Sequence, residues 1–333
     1  MSDERTLSLM REFMAPPTAT GLDLVRGFSS EQLVASLNDL DLSRDVVRDV
    51  VDNWDGFRRE APWVQLLASM VEWVDRQRGH ADTPIPMWSD LEESGSNGRL
   101  LYAYAFALCA RATREFLRRA GVADAVVDAT LGVFARHVTI HQRKYETTGV
   151  DAGWWMLLLL RGELVQVGSL EYHRVTLGVG TLSPFPWYDE EEIAARGVGF
   201  RVGDPSLGIH IPDRADLSPH SVDASLDQAR RVLGAVWPAP GRRLATCQTW
   251  MLDDRLREML SSSSNIVHFQ QRFTLLPQWY EDDGDVIEFV FRRPDTALEN
   301  LPQSTSLERA IVRVLRSGSH WRNRTGWLDF DGV

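Results

Sequence analysis

The sequence predicts an α+β protein: a helical N-terminal domain over residues 1–150, then a mixed β-sheet domain flanked by helices over 151–333. Three observations predict this class. Apolar residues recur at helical spacing through the first part. Near Asp151 the pattern changes to short apolar runs broken by turn residues. Beyond it, strand-like runs alternate with amphipathic helices, as in layered α/β or α+β domains.

In the first part, "PWVQLLASMVEWVDRQ" sets Val64, Leu67, Val71 and Val74 on one stripe. "RLLYAYAFALCARATREFLRRAG" is a second helix, closed by a basic last turn and Gly121. A third, "ADAVVDATLGVFARHVTIHQRKYE", carries Val127, Leu131, Phe134, Val138 and His141. "HADTPIPMWSDLEESGSNG" reads as a loop from its Pro, Ser and Gly content.

After Asp151, "GWWMLLLLRGELVQVGSLEYHRVTLGVG" holds two apolar runs around "RGEL" and predicts a hairpin. "TLSPFPWYDEEEIAARGVG" is a Pro-rich excursion with an acidic tip. Leu207–Ile211 is an apolar strand, and a helix follows with Ser218 at its N-cap and Pro219 at its first position. Val222, Leu226, Ala229, Leu233 and Val236 give that helix one apolar face. Next come a strand in "RLATCQTWML", a helix from Asp253 to about Arg272, and a strand pair in "FTLLPQWYEDDGDVIEFVFRR" turning at Asp283-Gly284. The helix "TSLERAIVRVLRSG" and a Trp-containing tail end the chain.

Composition narrows the function. A net charge of −11 argues against general nucleic-acid binding, which needs a basic footprint. Two cysteines, Cys109 and Cys247, exclude a disulfide framework and a multi-cysteine metal cluster. The charged N-terminus lacks a signal-peptide core, and the apolar segment Leu100–Ala110 is about half a membrane span. A soluble cytoplasmic protein, with neither a nucleic-acid nor a membrane partner, is the expectation.

The junction "LGIHIPDRADLSPHSVDASLDQA" raises a question. A helix start presents unpaired N–H groups and partial positive charge to an anion. Yet no glycine occurs between Gly208 and Gly234. Geometry alone leaves two readings open, a capped helix after a loop and an anion site.

The order of "RHVTIHQRKYETTGVDAGWW", "VGSLEYH", "HIPDRADLSPHSVDASL", "CQTWMLDDRL", "SNIVHFQQRFTL" and "GSHWRNRTGWL" resembles a bacterial acyltransferase family, across roughly residues 130 to 328. Its members join a helical N-acyltransferase N-terminal domain to a GNAT-like C-terminal domain. The resemblance implies transfer of an acyl group from a pantetheine thioester to an amine by direct attack, with no metal. The donor would be acyl-CoA or the acyl-phosphopantetheine of an acyl-carrier protein, and the acceptor a small molecule or a peptide N-terminus. It also implies that Leu207–Ile211 is a splayed strand, with Ile209 and Ile211 along the pantetheine, and that Leu244–Leu252 is its neighbour. Asp213–Leu217 would be the phosphate loop, with Arg214, Ser218, His220 and Ser221 around the phosphates. The absent loop glycines keep the carrier-protein donor open.

Amide formation needs a base for the amine, donors for the oxyanion and a departing thiolate. His210 on the central strand is one candidate base. Glu171 and His173, two apart on a strand, share a face and are the others. The family pattern often has a tyrosine on the helix after the neighbouring strand to protonate the thiolate; here Ser264, Asn265 and His268 are the polar residues, and Asn265 is taken as the candidate. Cys247 invites an acyl-cysteine reading, although an interior strand cysteine is usually inert. Gln248 stands where relatives often carry histidine. His137 and His141 have the i,i+4 spacing of a zinc pair, but Val138 replaces the glutamate a metalloprotease needs. Trp154, Trp155, Trp187 and Trp250 are candidates for an acyl tunnel. Two rival readings are a catalytically degenerate binding or scaffold protein and a metal-dependent hydrolase centred on His137 and His141.

Overall fold

The computed structural model describes residues 15–80, 83–85, 91, 95–177, 201, 203–237, 244–292 and 297–332. The Pro-rich excursion with Trp187 and the charged N-terminus lie outside the described residues. The chain divides into two compact units, Met1–Val165 and Gln166–Val333.

The first unit is helical: α1 (Ala19–Gly27), α2 (Ser30–Asn38), α3 (Arg44–Phe57), α4 (Ala61–Gln77), α5 (Gly95–Arg119), α6 (Asp124–Tyr145) and α7 (Trp155–Leu160). Ser29 and Gln32 form a capping box at α2, and Ser43 caps α3. The three long amphipathic stretches read from the sequence are α4, α5 and α6. Trp54 and Phe57 of α3 surround Tyr104 of α5, whose hydroxyl donates to the Val50 carbonyl at 3.1 Å. That bond and the one from Trp54 Nε1 to the Phe28 carbonyl at 3.0 Å satisfy the polar atoms of the aromatic cluster. Among the described residues no helix is long and apolar enough to cross a membrane.

The run "WMLLLL" was expected to be the first arm of a hairpin, and it is instead the helix α7. Met156 through Leu160 are all fully buried, and a helix satisfies its own backbone there without a strand partner. The hairpin forms later, between β1 (Leu164–Val167) and β2 (Leu170–Thr176). Its turn uses Gly168 at φ +58°, where a Cβ would meet Ser225 at 3.1 Å.

Six strands make one mixed sheet in the order β1-β2-β3-β4-β6-β5, with β3 at Pro205–His210, β4 at Leu244–Thr249, β5 at Thr274–Glu281 and β6 at Arg322–Asp329. Helix α8 (Pro219–Val236) packs on one face, where Ser225 Oγ lies 3.0 Å from the Tyr172 hydroxyl and donates to the Val167 carbonyl. Among the described residues the remaining α-helices are α9 (Leu256–Met259), α10 (Asn265–Gln270), α11 (Asp283–Val286) and α12 (Ser306–Arg316).

Three expectations about the C-terminal part are corrected. The single helix from Asp253 is two short ones, α9 and α10. The Asp253 carboxylate is fully buried and accepts from Arg255 Nε at 3.0 Å and from the Arg322 N–H at 3.2 Å, so it anchors a turn. The strand pair at Asp283-Gly284 is not formed, because Asp282 caps α11 by accepting the Asp285 N–H at 3.0 Å. The true partner of β5 is the C-terminal tail, which is β6 and lies inside the sheet between β4 and β5. Trp250, Leu256, Val286, Phe291, Ile311 and Trp321 close an apolar cluster within this unit.

Candidate active site

The sheet opens in its middle. Strand β3 pairs antiparallel with β2 along its whole length, from Thr176↔Pro205 to Glu171↔His210. With β4 it pairs in parallel only at Ser206↔Leu244, Leu207↔Ala245 and Gly208↔Thr246. Strand β4 then continues on β6 as far as Thr249↔Arg324. The two strands therefore part after Gly208 and Thr246, leaving Ile209 and His210 on one lip and Cys247, Gln248 and Thr249 on the other. Ser206 Oγ donating to the Leu244 carbonyl at 2.8 Å braces the closed end.

The register decides which side chains meet at that opening. Glu171 lies opposite His210 and His173 opposite Gly208, so all four residues share one face. Tyr172 and Ile209 point to the other face, toward α8. Gly208 makes the arrangement work: a Cβ there would stand 3.2 Å from His210 Nε2 and 3.6 Å from His173 Cβ. Without one, the His210 ring folds back over the strand, its centroid 5.7 Å from that of His173. Glu171 and His173 are buried. Burial, with a smaller contribution from His173, pushes the His210 imidazole down to about 3, so the ring is neutral at physiological pH. The three candidate bases thus come together on adjacent strands. Asn265 does not join them: it is exposed at the start of α10 and hydrogen-bonds to none of the three.

Cys247 is buried, and burial pushes its thiol up to about 12, which removes the thiolate a nucleophile needs. Gln248 is exposed on the face shared by His210, and its Nε2 donates to the Tyr280 hydroxyl at 3.3 Å. Tyr280, on β5, escaped the sequence reading because it enters through a strand pairing made by the tail.

The loop ahead of α8 is more self-contained than its sequence suggests. Arg214 is exposed and adopts φ +58°, the left-handed conformation that glycine usually fills. The Asp216 carboxylate accepts the Ser218 N–H at 2.9 Å and the Ser218 hydroxyl at 3.1 Å, and these bonds hold it below the usual carboxylate range. Ser218 in turn accepts from the Ser221 N–H, and its carbonyl takes the Val222 N–H. Pro219 has no N–H, so the first turn offers an anion the N–H of exposed His220. Ile209 is buried with its side chain away from the opening, while Ile211 lies just beyond the strand. Two further cations stand here that the sequence reading missed. Arg292 pairs with Asp213 at 3.0 Å, and Arg272 donates to Asp223 at 2.6 Å and to the Pro219 carbonyl at 3.2 Å. Both lie far downstream in sequence, and no local pattern signals them.

His137 and His141 hold the end of α6 to the segment after it. The Nδ1 atoms lie 2.7 Å from the Asp151 carbonyl and 2.9 Å from the Thr147 carbonyl respectively. Among the described residues no group of three His, Cys, Asp or Glu is placed to hold a metal ion. Trp154 and Trp155 stack edge to face at 5.3 Å, and Trp250 is buried in the apolar cluster of the second unit.

Comparison with known proteins fits this architecture. Residues 31–162 match the model of an N-acyltransferase N-terminal domain, and residues 164–328 that of a GNAT-like C-terminal domain. A comparison with curated proteins finds no match. Among solved structures, an acyltransferase in complex with decanoyl-CoA is 30% identical with a TM-score of 0.74, covering 88% of this chain and 86% of that one. An acyltransferase in complex with decanoyl-CoA and teicoplanin is also 30% identical, with a TM-score of 0.72 over the same shares. A third, in complex with CoA and 10C-teicoplanin, is 27% identical with a TM-score of 0.74 over 99% of this chain and 100% of that one. The chain belongs to the acyltransferase family that joins an N-acyltransferase N-terminal domain to a GNAT-like C-terminal domain, and it is an acyltransferase.

Proposed function

We propose that this enzyme is an N-acyltransferase that passes an acyl group from acyl-CoA directly to an amine, with His210 accepting the amine's proton. The observation that carries the reading is the parting of β3 from β4 beside Gly208 and His210. A pantetheine arm laid in that opening finds strand backbone on both lips, and its thioester comes up against His210. The amine lone pair attacks the thioester carbonyl, its proton passes to the neutral imidazole, and the C–S bond breaks to release a thiolate, which takes up that proton from the imidazolium directly or through water. A thiol of pKa about 8.5 leaves without a strong acid. Burial opposes the imidazolium, and Glu171, directly opposite His210 in the register, is the carboxylate that would offset that cost as it forms.

The acyl-CoA donor is supported by the relatives solved with decanoyl-CoA or CoA. Its phosphates would meet the Ser218–Ser221 helix start, Arg214 and Arg292. A carrier-protein donor has no such support and is the comparison arm of the test. The relatives in complex with teicoplanin support an acceptor amine carried on a glycopeptide. Direct transfer is supported by Cys247, whose buried thiol is a poor nucleophile.

The test is thiol release from decanoyl-CoA with and without a glycopeptide amine, for the wild type and His210→Ala. Amine-dependent release that falls about 10²- to 10³-fold in the variant is expected for loss of a general base. Undiminished transfer by His210→Ala overturns the assignment.

A further inference from the structure

Gln248 stands on the lip opposite His210 and has no task in the transfer step, nor has Tyr280, which reaches it from β5 across β6. Gln248 lies two residues past the last β3–β4 pair, Gly208↔Thr246, as His210 does on its own strand. Both therefore project from the same face on either side of the opening. The Gln248 amide is tethered by its Nε2, which donates to the Tyr280 hydroxyl at 3.3 Å. Its Oε1 has no protein partner among the described residues, and the side chain it belongs to projects from the face that His210 shares. Tyr280 is itself fixed from behind. It pairs with Asn323 across β5 and β6, and buried Asn323 donates Nδ2 to Asp285 at 2.7 Å. The phenol stays protonated, since burial and the carboxylates of Asp285 and Asp282 raise its pKa.

We propose that Gln248 Oε1 is the second hydrogen-bond acceptor for the incoming amine, which makes the enzyme selective for primary over secondary amines, with Tyr280 as the positioning residue for that amide. The proposal rests on the opening being the acyl-transfer site. An attacking amine must aim its lone pair at the thioester carbonyl. A primary amine then has two N–H bonds to place, and one is given to His210. The other, left unsatisfied beside the bound thioester, loses the energy of a hydrogen bond. Gln248 Oε1, across from His210, receives it. A secondary amine has a single N–H and carries carbon where Oε1 waits, which leaves that acceptor unsatisfied and crowded.

The experiment compares kcat/KM for a primary amine acceptor and its N-methyl derivative, using decanoyl-CoA. The proteins are the wild type, Gln248→Ala, Tyr280→Phe and His210→Ala, each checked by near-UV circular dichroism. The expected wild-type preference for the primary amine is about tenfold, from one hydrogen bond lost and one carbon crowded against Oε1. In Gln248→Ala the preference collapses to within about threefold, through a higher KM for the primary amine, while the KM for decanoyl-CoA stays within about twofold. Tyr280→Phe gives an intermediate ratio with the same donor KM. A Gln248→Ala ratio equal to the wild type's, in an enzyme whose transfer depends on His210, overturns this proposal and leaves the acyl-transfer site standing. If neither His210→Ala nor Gln248→Ala alters transfer, the opening is not the site, and both readings fall.

Discussion

Protonation of His210 is the most informative perturbation, because the same burial sets its chemistry and its stability cost. Folding moves the imidazole from an ordinary 6.5 to about 3. Between those values the unfolded chain binds the proton and the folded protein does not. Stability is therefore highest above pH 6.5 and falls as pH drops through the window toward 3. At about 1.4 kcal/mol for each pH unit, the full window is worth at most about 5 kcal/mol. Between pH 7.5 and 5 the same linkage amounts to about 2 kcal/mol. His210 keeps some exposure, and a protonated ring that swings toward water reduces the effect further. His210→Gln, which cannot be protonated, should lose this part of the pH dependence. The assay is two-fold. Urea unfolding at pH 7.5 and pH 5 should show the wild type losing about 1 to 2 kcal/mol more than the variant. Spectra with ¹³C-labelled histidine should show one of the eight histidines, absent in His210→Gln, that does not titrate above pH 5. A His210 resonance titrating near pH 6.5 with no difference in pH slope would refute the buried-imidazole argument.

Three other substitutions probe different links. Gly208→Ala places a methyl 3.2 Å from His210 Nε2, so the ring must move; kcat should fall about 10- to 100-fold with a near-native thermal midpoint, measured by steady-state kinetics and calorimetry. Cys247→Ala should keep transfer within about threefold of wild type, because a thiol raised to about 12 carries no acyl group; loss of turnover with intact circular dichroism would reinstate a covalent intermediate. Glu163→Gln removes the carboxylate charge set against the Arg161 guanidinium, fully buried over Trp73, and should cost about 3 kcal/mol in denaturant unfolding.

The helices α4, α5 and α6 were legible because each is long enough for an apolar stripe to repeat several times. Helix α7 was not. Six consecutive apolar residues carry no period, and a buried strand and a buried helix read alike over that length. Strand β6 hid for a different reason. It buries Asn323 and Thr325, polar residues that an alternation of apolar side chains does not reveal, and its partners are distant in sequence. At the site, the two-residue spacing of Glu171 and His173 showed their common face directly. That His210 joins them depended on the β2–β3 register, which the sequence does not state. The Asp216–Ser218 interaction had a visible signal, an aspartate two residues before a helix-capping serine. The placement of Tyr280, Arg272 and Arg292 had none, since tertiary packing alone brings them to the strand opening and to the loop.

What the parted strands hold is tested most directly by a crystal structure with a non-hydrolysable thioether analogue of decanoyl-CoA. The pantetheine arm should lie between Gly208–His210 and Thr246–Thr249, with the carbon that replaces the thioester carbonyl within reach of His210 and a phosphate near His220 and Arg214. An analogue bound away from that opening, with β3 and β4 empty between them, would contradict that placement.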